Sequence, residues 1–211
     1  MTEKYRNIKP IPCKVILLGD SGVGKTSMID RYLDKYKENI GSSISTSYYI
    51  KSLDIRDYKL NFQIWDTVGQ EQYRSLNNLF FKDAQICLMV FDITRQETFS
   101  SIKEYWYKAI SENGLEGVIF GIAGNKNDLY EYEQVDKKEV IDFCNEINAI
   151  FKFTSAKQNV CIDELFKELG EKFVSSDFMK EFGPEYFAKS RVQSFQLGEN
   201  KNRDNKKKRC C

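Results

Sequence analysis

Gly19-Asp20-Ser21-Gly22-Val23-Gly24-Lys25-Thr26 matches G-x-x-x-x-G-K-[ST], the spacing of a loop that wraps a phosphate. Glycines let backbone N–H groups close around an anion where a Cβ would stand in the way. A helix starting at Lys25 adds orphan N–H donors and the positive end of its dipole. Lys25 can reach β- and γ-phosphates, and the Thr26 hydroxyl can ligate Mg²⁺. A second run, Trp65-Asp66-Thr67-Val68-Gly69-Gln70-Glu71, places a carboxylate at the end of an apolar stretch. Asp66 can hold Mg²⁺ through water, Gly69 can bring its N–H against a γ-phosphate, and Gln70 can orient an attacking water. The third run is Asn125-Lys126-Asn127-Asp128. A carboxylate at Asp128 can accept both N1–H and the N2 amine of guanine. Adenine offers neither proton, and a buried carboxylate left unpaired is costly, so this pairing separates the two bases. Ser155-Ala156-Lys157 can close over the base.

These groups need a scaffold, and the apolar pattern supplies one. Residues 13–18, 48–56, 59–65, 85–92, 118–124 and 150–153 read as strands. The second and third are joined tightly at Asp57-Tyr58, which makes that pair antiparallel. Within 85–92, Ile86, Cys87, Leu88, Met89, Val90 and Phe91 make a continuous apolar run, as expected of a strand buried on both faces. Helical patterns fall at 25–36, 96–111 and 137–147, the last with Asp136 as N-cap and Glu139 three residues on. A final stripe is formed by Ile162, Leu165, Phe166, Leu169 and Phe173. Residues 37–47 are polar and aperiodic, a loop. Strands alternating with helices give an α/β domain with a mostly parallel sheet, in which ligands sit at the carboxyl ends of the strands. Each polar run above falls at such an end.

At 211 residues the chain holds one domain and a tail. Its net charge of +1 is unevenly spread. Residues 201–209 carry six basic side chains against Asp204, a net of +5, which leaves the other 202 residues at −4. An acidic body argues against a nucleic-acid-binding face, and the basic end favours an anionic membrane surface. The chain has no histidine. That excludes Ser-His-Asp and Cys-His catalysis and histidine-ligated metals. No apolar run approaches a bilayer span, and the N-terminus lacks the apolar core of a signal peptide, so a cytosolic chain is expected. Cys13, Cys87, Cys144 and Cys161 show no C-x-x-C spacing and read as buried or half-buried thiols.

The runs G-D-S-G-V-G-K-T, W-D-T-x-G-Q-E, G-N-K-N-D-L and T-S-A-K together resemble the Ras-like small GTPases over roughly residues 11–175. Within them Leu60-Asn61-Phe62-Gln63-Ile64-Trp65, Tyr73-Arg74-Ser75-Leu76, residues 88–94 and the ending Cys210-Cys211 resemble the Rab family. The resemblance implies a P-loop three-layer α/β sandwich: six strands, mostly parallel with one antiparallel, and helices on both faces. It implies an N-terminal extension over 1–10, a GTPase domain over 11–175 and a variable tail over 176–211. It implies a GTP/GDP switch with Mg²⁺, in which Lys25 and Gln70 act in hydrolysis. Nucleotide contacts are implied at Asp20, Ser21, Gly22, Val23, Gly24, Lys25, Thr26, Ser27, Gly69, Asn125, Lys126, Asp128, Leu129, Ser155, Ala156 and Lys157. Metal ligation is implied at Thr26, Ser43 and Asp66. Dual prenylation is implied at Cys210 and Cys211, which do not fit the C-a-a-X form. Two lipid chains beside a basic run anchor stably where one does not. The implied partners are an exchange factor, a GTPase-activating protein, a GDP-dissociation inhibitor or escort protein, and effectors on the switch loops. The implied place is the cytoplasmic face of an intracellular membrane, with a cytosolic pool, in vesicle trafficking.

The chain departs from the family in its first switch loop. Ser43-Ile44-Ser45 stands where Rabs carry Thr-Ile-Gly, with Ser42 and Thr46 as rival hydroxyls for the metal. Val68 replaces an alanine. No arginine lies between Tyr36 and Ser47, so slow intrinsic hydrolysis is expected, raised roughly 10³–10⁵-fold when a partner supplies one. A nucleotide-binding membrane scaffold with impaired hydrolysis is the alternative; the presence of Gln70 argues against it. A P-loop metabolic kinase would need a lid and an acceptor site, and would leave Asp128 without a role.

Overall fold

The computed structural model describes residues 10–36, 47–66, 81–112, 117–177 and 179–180. Six strands form one sheet: β1 (Ile11–Leu18), β2 (Ser47–Ile55), β3 (Tyr58–Asp66), β4 (Ile86–Asp92), β5 (Ile119–Asn125) and β6 (Ile150–Phe153). Their order is β2-β3-β1-β4-β5-β6, and only β2 and β3 pair antiparallel. β4 is buried along its whole length, as its unbroken apolar run requires.

The sheet is covered on both faces. Helices α1 (Lys25–Tyr32) and α4 (Ile162–Val174) share one apolar cluster with inward side chains such as Val15, Leu17, Leu88 and Ala123. The Tyr32 and Phe166 rings stack there, 3.9 Å between centroids and 7° from parallel. On the other face lie α2 (residues 96–112) and α3 (Lys137–Glu146), packed around Phe99, Ile102, Trp106, Val140 and Cys144. α2 is α-helical at both ends and makes a π turn at Ile102–Trp106. Cys13, Cys87 and Cys144 are buried, and Cys161 is half-buried. No helix among the described residues is long and apolar enough to cross a membrane.

Several boundaries differ from the sequence reading, most by a residue or two, and two of the differences have a clear backbone cause. α1 stops at Tyr32, four residues short of Tyr36. Asp34 turns left-handed (φ 58°), and the Lys35 and Asp34 N–H groups donate back to the Asp30 and Arg31 carbonyls. That is a Schellman ending with aspartate in the place glycine usually takes. The hairpin turn is Arg56-Asp57, because Ile55 pairs with Tyr58 and Arg56 adopts φ 52°. Asp136 does cap α3, accepting from the Lys138 N–H at 2.8 Å.

β1 sits where the chain's winding reverses: after it the strands go to β3 and β2 on one side, and to β4, β5 and β6 on the other. The crevice at the carboxyl ends of β1 and β4 is therefore where this sheet can hold a ligand.

Candidate nucleotide site

The loop leaving β1 is shaped by two close approaches. Gly19 (φ 140°) lies against the Val90 carbonyl, where a Cβ would collide with backbone. Gly24 (φ 98°) lies against the Asn125 side-chain amide, which a Cβ would displace, and it opens α1 as its N-cap. α1 thus opens next to the crevice, with the orphan N–H groups that any helix start carries. Lys25 is only 6% exposed. Its Nζ donates to the Gly19 carbonyl at 2.8 Å and the Asp20 carbonyl at 2.9 Å, curling the side chain back over the loop. Burial pulls its pKa down to about 8, against the pull of Asp66 and Asp20. An amine held this way gains by meeting an anion.

Asp66 ends β3 beside β1, in register with Leu17, and is 1% exposed. Thr26 Oγ1 donates to its Oδ2 at 2.6 Å. The other carboxylate oxygen, Oδ1, is buried without a hydrogen-bond partner among the described residues. Burial raises the pKa of this carboxyl, although Thr26 and Lys25 oppose the shift. A hydroxyl and a half-satisfied buried carboxylate side by side fit a hard cation with oxygen ligands, so Thr26 and Asp66 can hold Mg²⁺.

Asn125 ends β5 and joins the phosphate side of the crevice to its far side. Its Nδ2 donates to the Val23 carbonyl at 2.9 Å. Its Oδ1 accepts from Thr154 Oγ1 and from the Ala156 N–H, both at 3.3 Å. It is 1% exposed, so each of these partners would be lost without replacement. After it, Lys126 turns left-handed (φ 65°), and Asp128 follows in a 3₁₀ turn (Asn127–Tyr132). Ser155 Oγ donates to Asp128 Oδ1 at 2.5 Å. The carboxylate is thereby held in one orientation, as reading a base edge by paired hydrogen bonds demands. Leu129 lies at the surface in the same turn. From α1, Arg31 donates to the carbonyls of Ala156 (2.7 Å) and Lys157 (3.0 Å), fixing the loop expected over the base.

The structure thus brings together residues 20–27, Asp66, Asn125, Lys126, Asp128, Leu129 and residues 155–157. Ser43, Val68, Gly69, Gln70, Cys210 and Cys211 lie outside the described residues.

Four groups were missed in the sequence. Asp92 ends β4 as Asp66 ends β3, and that shared position was its available signal. It is buried, accepts from the Thr94 N–H and hydroxyl at 3.0 and 2.7 Å, and pairs with Lys126 Nζ at 2.7 Å. Burial would raise its carboxyl pKa, but these partners hold it below the ordinary value. Thr154 opens the T-S-A-K run, but nothing there marked its bond to Asn125; Arg95 and Trp106 had no local signal. The Trp106 indole N–H donates across 86 residues to Asp20 Oδ1 at 3.1 Å.

Residues 14–175 match the model of the Ras family. The chain is 39% identical over 165 residues to Ras-related protein Rab-22A of Homo sapiens, covering 78% of this chain and 84% of that one. It is 35% identical over 199 residues to Ras-related protein Rab-31 of Rattus norvegicus, covering 94% and 96%. To Ras-related protein RabJ of Dictyostelium discoideum it is 36% identical over 173 residues, covering 80% and 67%.

Proposed function

This chain belongs to the Ras family, among the Rab small GTPases that bind GTP and GDP and hydrolyse the first to the second, and on that premise we propose that it is a membrane-anchored switch of vesicle trafficking. Its GTP form recruits effectors through the switch loops. The domain spans 11–175, preceded by a short extension, and the tail over 176–211 carries the basic run and Cys210-Cys211, prenylated to hold the cytoplasmic face of an intracellular membrane. A cytosolic pool is kept by a GDP-dissociation inhibitor or escort protein. An exchange factor loads GTP, and an activating protein supplies the arginine that the first switch lacks.

Within the site, the N–H groups of residues 20–27 receive the phosphates, and Lys25 gives up carbonyl partners for phosphate oxygens. Thr26, Asp66 and Ser43 would hold Mg²⁺, which when bound adds positive charge beside the phosphate oxygens. Gly69 would meet the γ-phosphate and Gln70 would orient the attacking water. Asp128 reads guanine, with Asn125, Lys126, Leu129 and the loop 155–157 shaping its pocket. The observation that carries the reading is the arrangement around Asn125. One buried amide bonds both the phosphate loop and the loop of Ser155, which fixes Asp128.

Single-turnover hydrolysis of bound GTP tests it. The expected result is stoichiometric, guanine-selective binding followed by slow turnover, with a rise of about 10³-fold or more on adding an activating protein. Fast loss of GTP without an activator, or no binding of GTP, would reject it. Binding with no turnover under any activator would favour the scaffold alternative.

A further inference from the structure

Arg95 joins the end of β4 to the outer turn of the phosphate loop. Its Nε pairs with Asp92 Oδ2 at 3.2 Å, and its Nη2 donates to the Ser21 carbonyl at 3.1 Å. The same Asp92 oxygen holds Lys126 Nζ at 2.7 Å. Asp92 is pinned in turn, since its Oδ1 accepts from Thr94, and it stands beside Asn125 in the β4–β5 register. Its side chain is 2% exposed, so its orientation is set by these partners rather than by water. One guanidinium thus spans from the carboxylate that positions the base-side lysine to the outer turn of the phosphate loop. That turn, Ser21-Gly22, is exposed, and the only neighbour a Cβ at Gly22 would meet among the described residues is Arg95 Nη2, 3.8 Å away.

We propose that Arg95 is a positioning residue for nucleotide retention: it fixes the Ser21-Gly22 turn and, through Asp92, Lys126, so that the phosphate and base grips open together. This deepens the guanine-nucleotide reading and rests on it. The planar fork is what allows the span. A lysine at 95 is a single point charge that can meet Asp92 or the Ser21 carbonyl but not both, and a glutamine is uncharged and too short to reach both. The guanidinium is about one-third exposed. A charge-assisted bond of that exposure corresponds to an off-rate change of about three- to tenfold.

The test is release of mant-GDP from the full chain into excess GDP with Mg²⁺ present. Wild type, R95Q and R95K are compared, with K180A as a control that breaks a distant surface ion pair. R95Q should release about three- to tenfold faster than wild type, R95K should lie between them, and K180A should match wild type. Equal off-rates for R95Q and wild type overturn the assignment. R95K no better than R95Q also overturns it, since a packing role alone would not respond to the retained charge. A wild-type chain that retains no mant-GDP instead overturns the nucleotide reading beneath it.

Discussion

Replacing Asn125 tests whether the phosphate loop and the base loop are one unit. In Asn125→Ala the Val23 carbonyl loses a 2.9 Å donor, and the Ala156 N–H and Thr154 hydroxyl lose an acceptor at 3.3 Å. All lie where water does not enter: Asn125 is 1% exposed, and Thr154 is fully buried. A buried carbonyl stripped of its partner costs about 2 kcal/mol, and the two longer bonds together cost about 1 kcal/mol, for a total of about 3 kcal/mol. The domain survives, since stabilities of about 5–15 kcal/mol are usual, but its melting temperature should fall by roughly 6–12 °C. Gly24→Ala should act on the same contact from the other side. A Cβ there collides with Asn125 Nδ2, and φ 98° adds left-handed strain of about 1–2 kcal/mol, so the change costs about 4–5 kcal/mol. The double variant has no amide left to displace. It should cost about 4–5 kcal/mol as well, not the sum of about 7–8, a coupling near 3 kcal/mol. Urea unfolding of the four proteins in equal excess GDP and Mg²⁺ measures the cycle. GDP off-rates measured alongside remove the part due to weaker ligand binding. Costs that add within about 0.5 kcal/mol, or an Asn125→Ala cost under about 1 kcal/mol, would refute the coupling.

Asp128→Ala should weaken GTP binding by about 10²-fold or more while leaving weak ATP binding unchanged, so competition between the two nucleotides reads the loss of selectivity. Retained preference for GTP would move the guanine contact elsewhere. Lys25→Met should change how stability depends on pH in the nucleotide-free protein. The lysine titrates near 8 in the fold and at 10.5 unfolded, so between these values the unfolded chain holds the extra proton. Wild type should therefore gain stability relative to Lys25→Met as pH rises from about 8 toward 10. The buried thiols of Cys13, Cys87 and Cys144, all shifted upward, pull both proteins the opposite way and cancel in the difference. A pH-independent difference would show that Lys25 is not desolvated. The pair Cys210→Ser/Cys211→Ser should move the chain from the membrane pellet to the soluble fraction, and unchanged sedimentation with membranes would reject prenylation.

The strands and the motif ends were legible because they are local. An apolar run that stops at an aspartate or a glycine declares where a parallel strand ends, and Asp66, Asn125 and Gly19 follow from that alone. What was not legible is every contact that spans the sheet. Nothing near Arg95 in sequence marks a partner 74 residues back in Ser21. Trp106 lies within the helical run 96–111 with nothing to set it apart, although its indole N–H holds Asp20. The end of α1 was misplaced because Leu33 and Tyr36 continue the apolar face, and both do pack on the core from outside the helix. Pattern reports burial there, and burial does not require helix. Asp34 in a left-handed cap is decided by backbone hydrogen bonds that residue type only weakly biases.

The distribution of buried polar groups ties these points together. Among the described residues the buried Asp, Asn, Lys, Ser and Thr side chains are Lys25, Asp66, Asp92, Thr98, Asn125, Thr154 and Ser155. Each lies at or just beyond the carboxyl end of β1, β3, β4, β5 or β6. Thr98 belongs with them because its hydroxyl accepts from the Asp92 N–H at 3.1 Å. Most of the other buried side chains among the described residues are apolar, so the fold does not need these groups for packing, and burying them is unfavourable unless they are bonded. They bond chiefly to one another and to the loops around one crevice. A protein selected only for stability would exchange such pairs for aliphatic side chains at little or no loss. Their confinement to the crevice is therefore a physical mark of a ligand site, independent of the motifs that first drew attention to it. The same reasoning explains why one of them, Asp66, keeps a buried oxygen without a partner among the described residues, beside Thr26. That oxygen is tolerable in a domain that spends its working life with a cation there, and it should make the nucleotide-free, metal-free chain the least stable form of all.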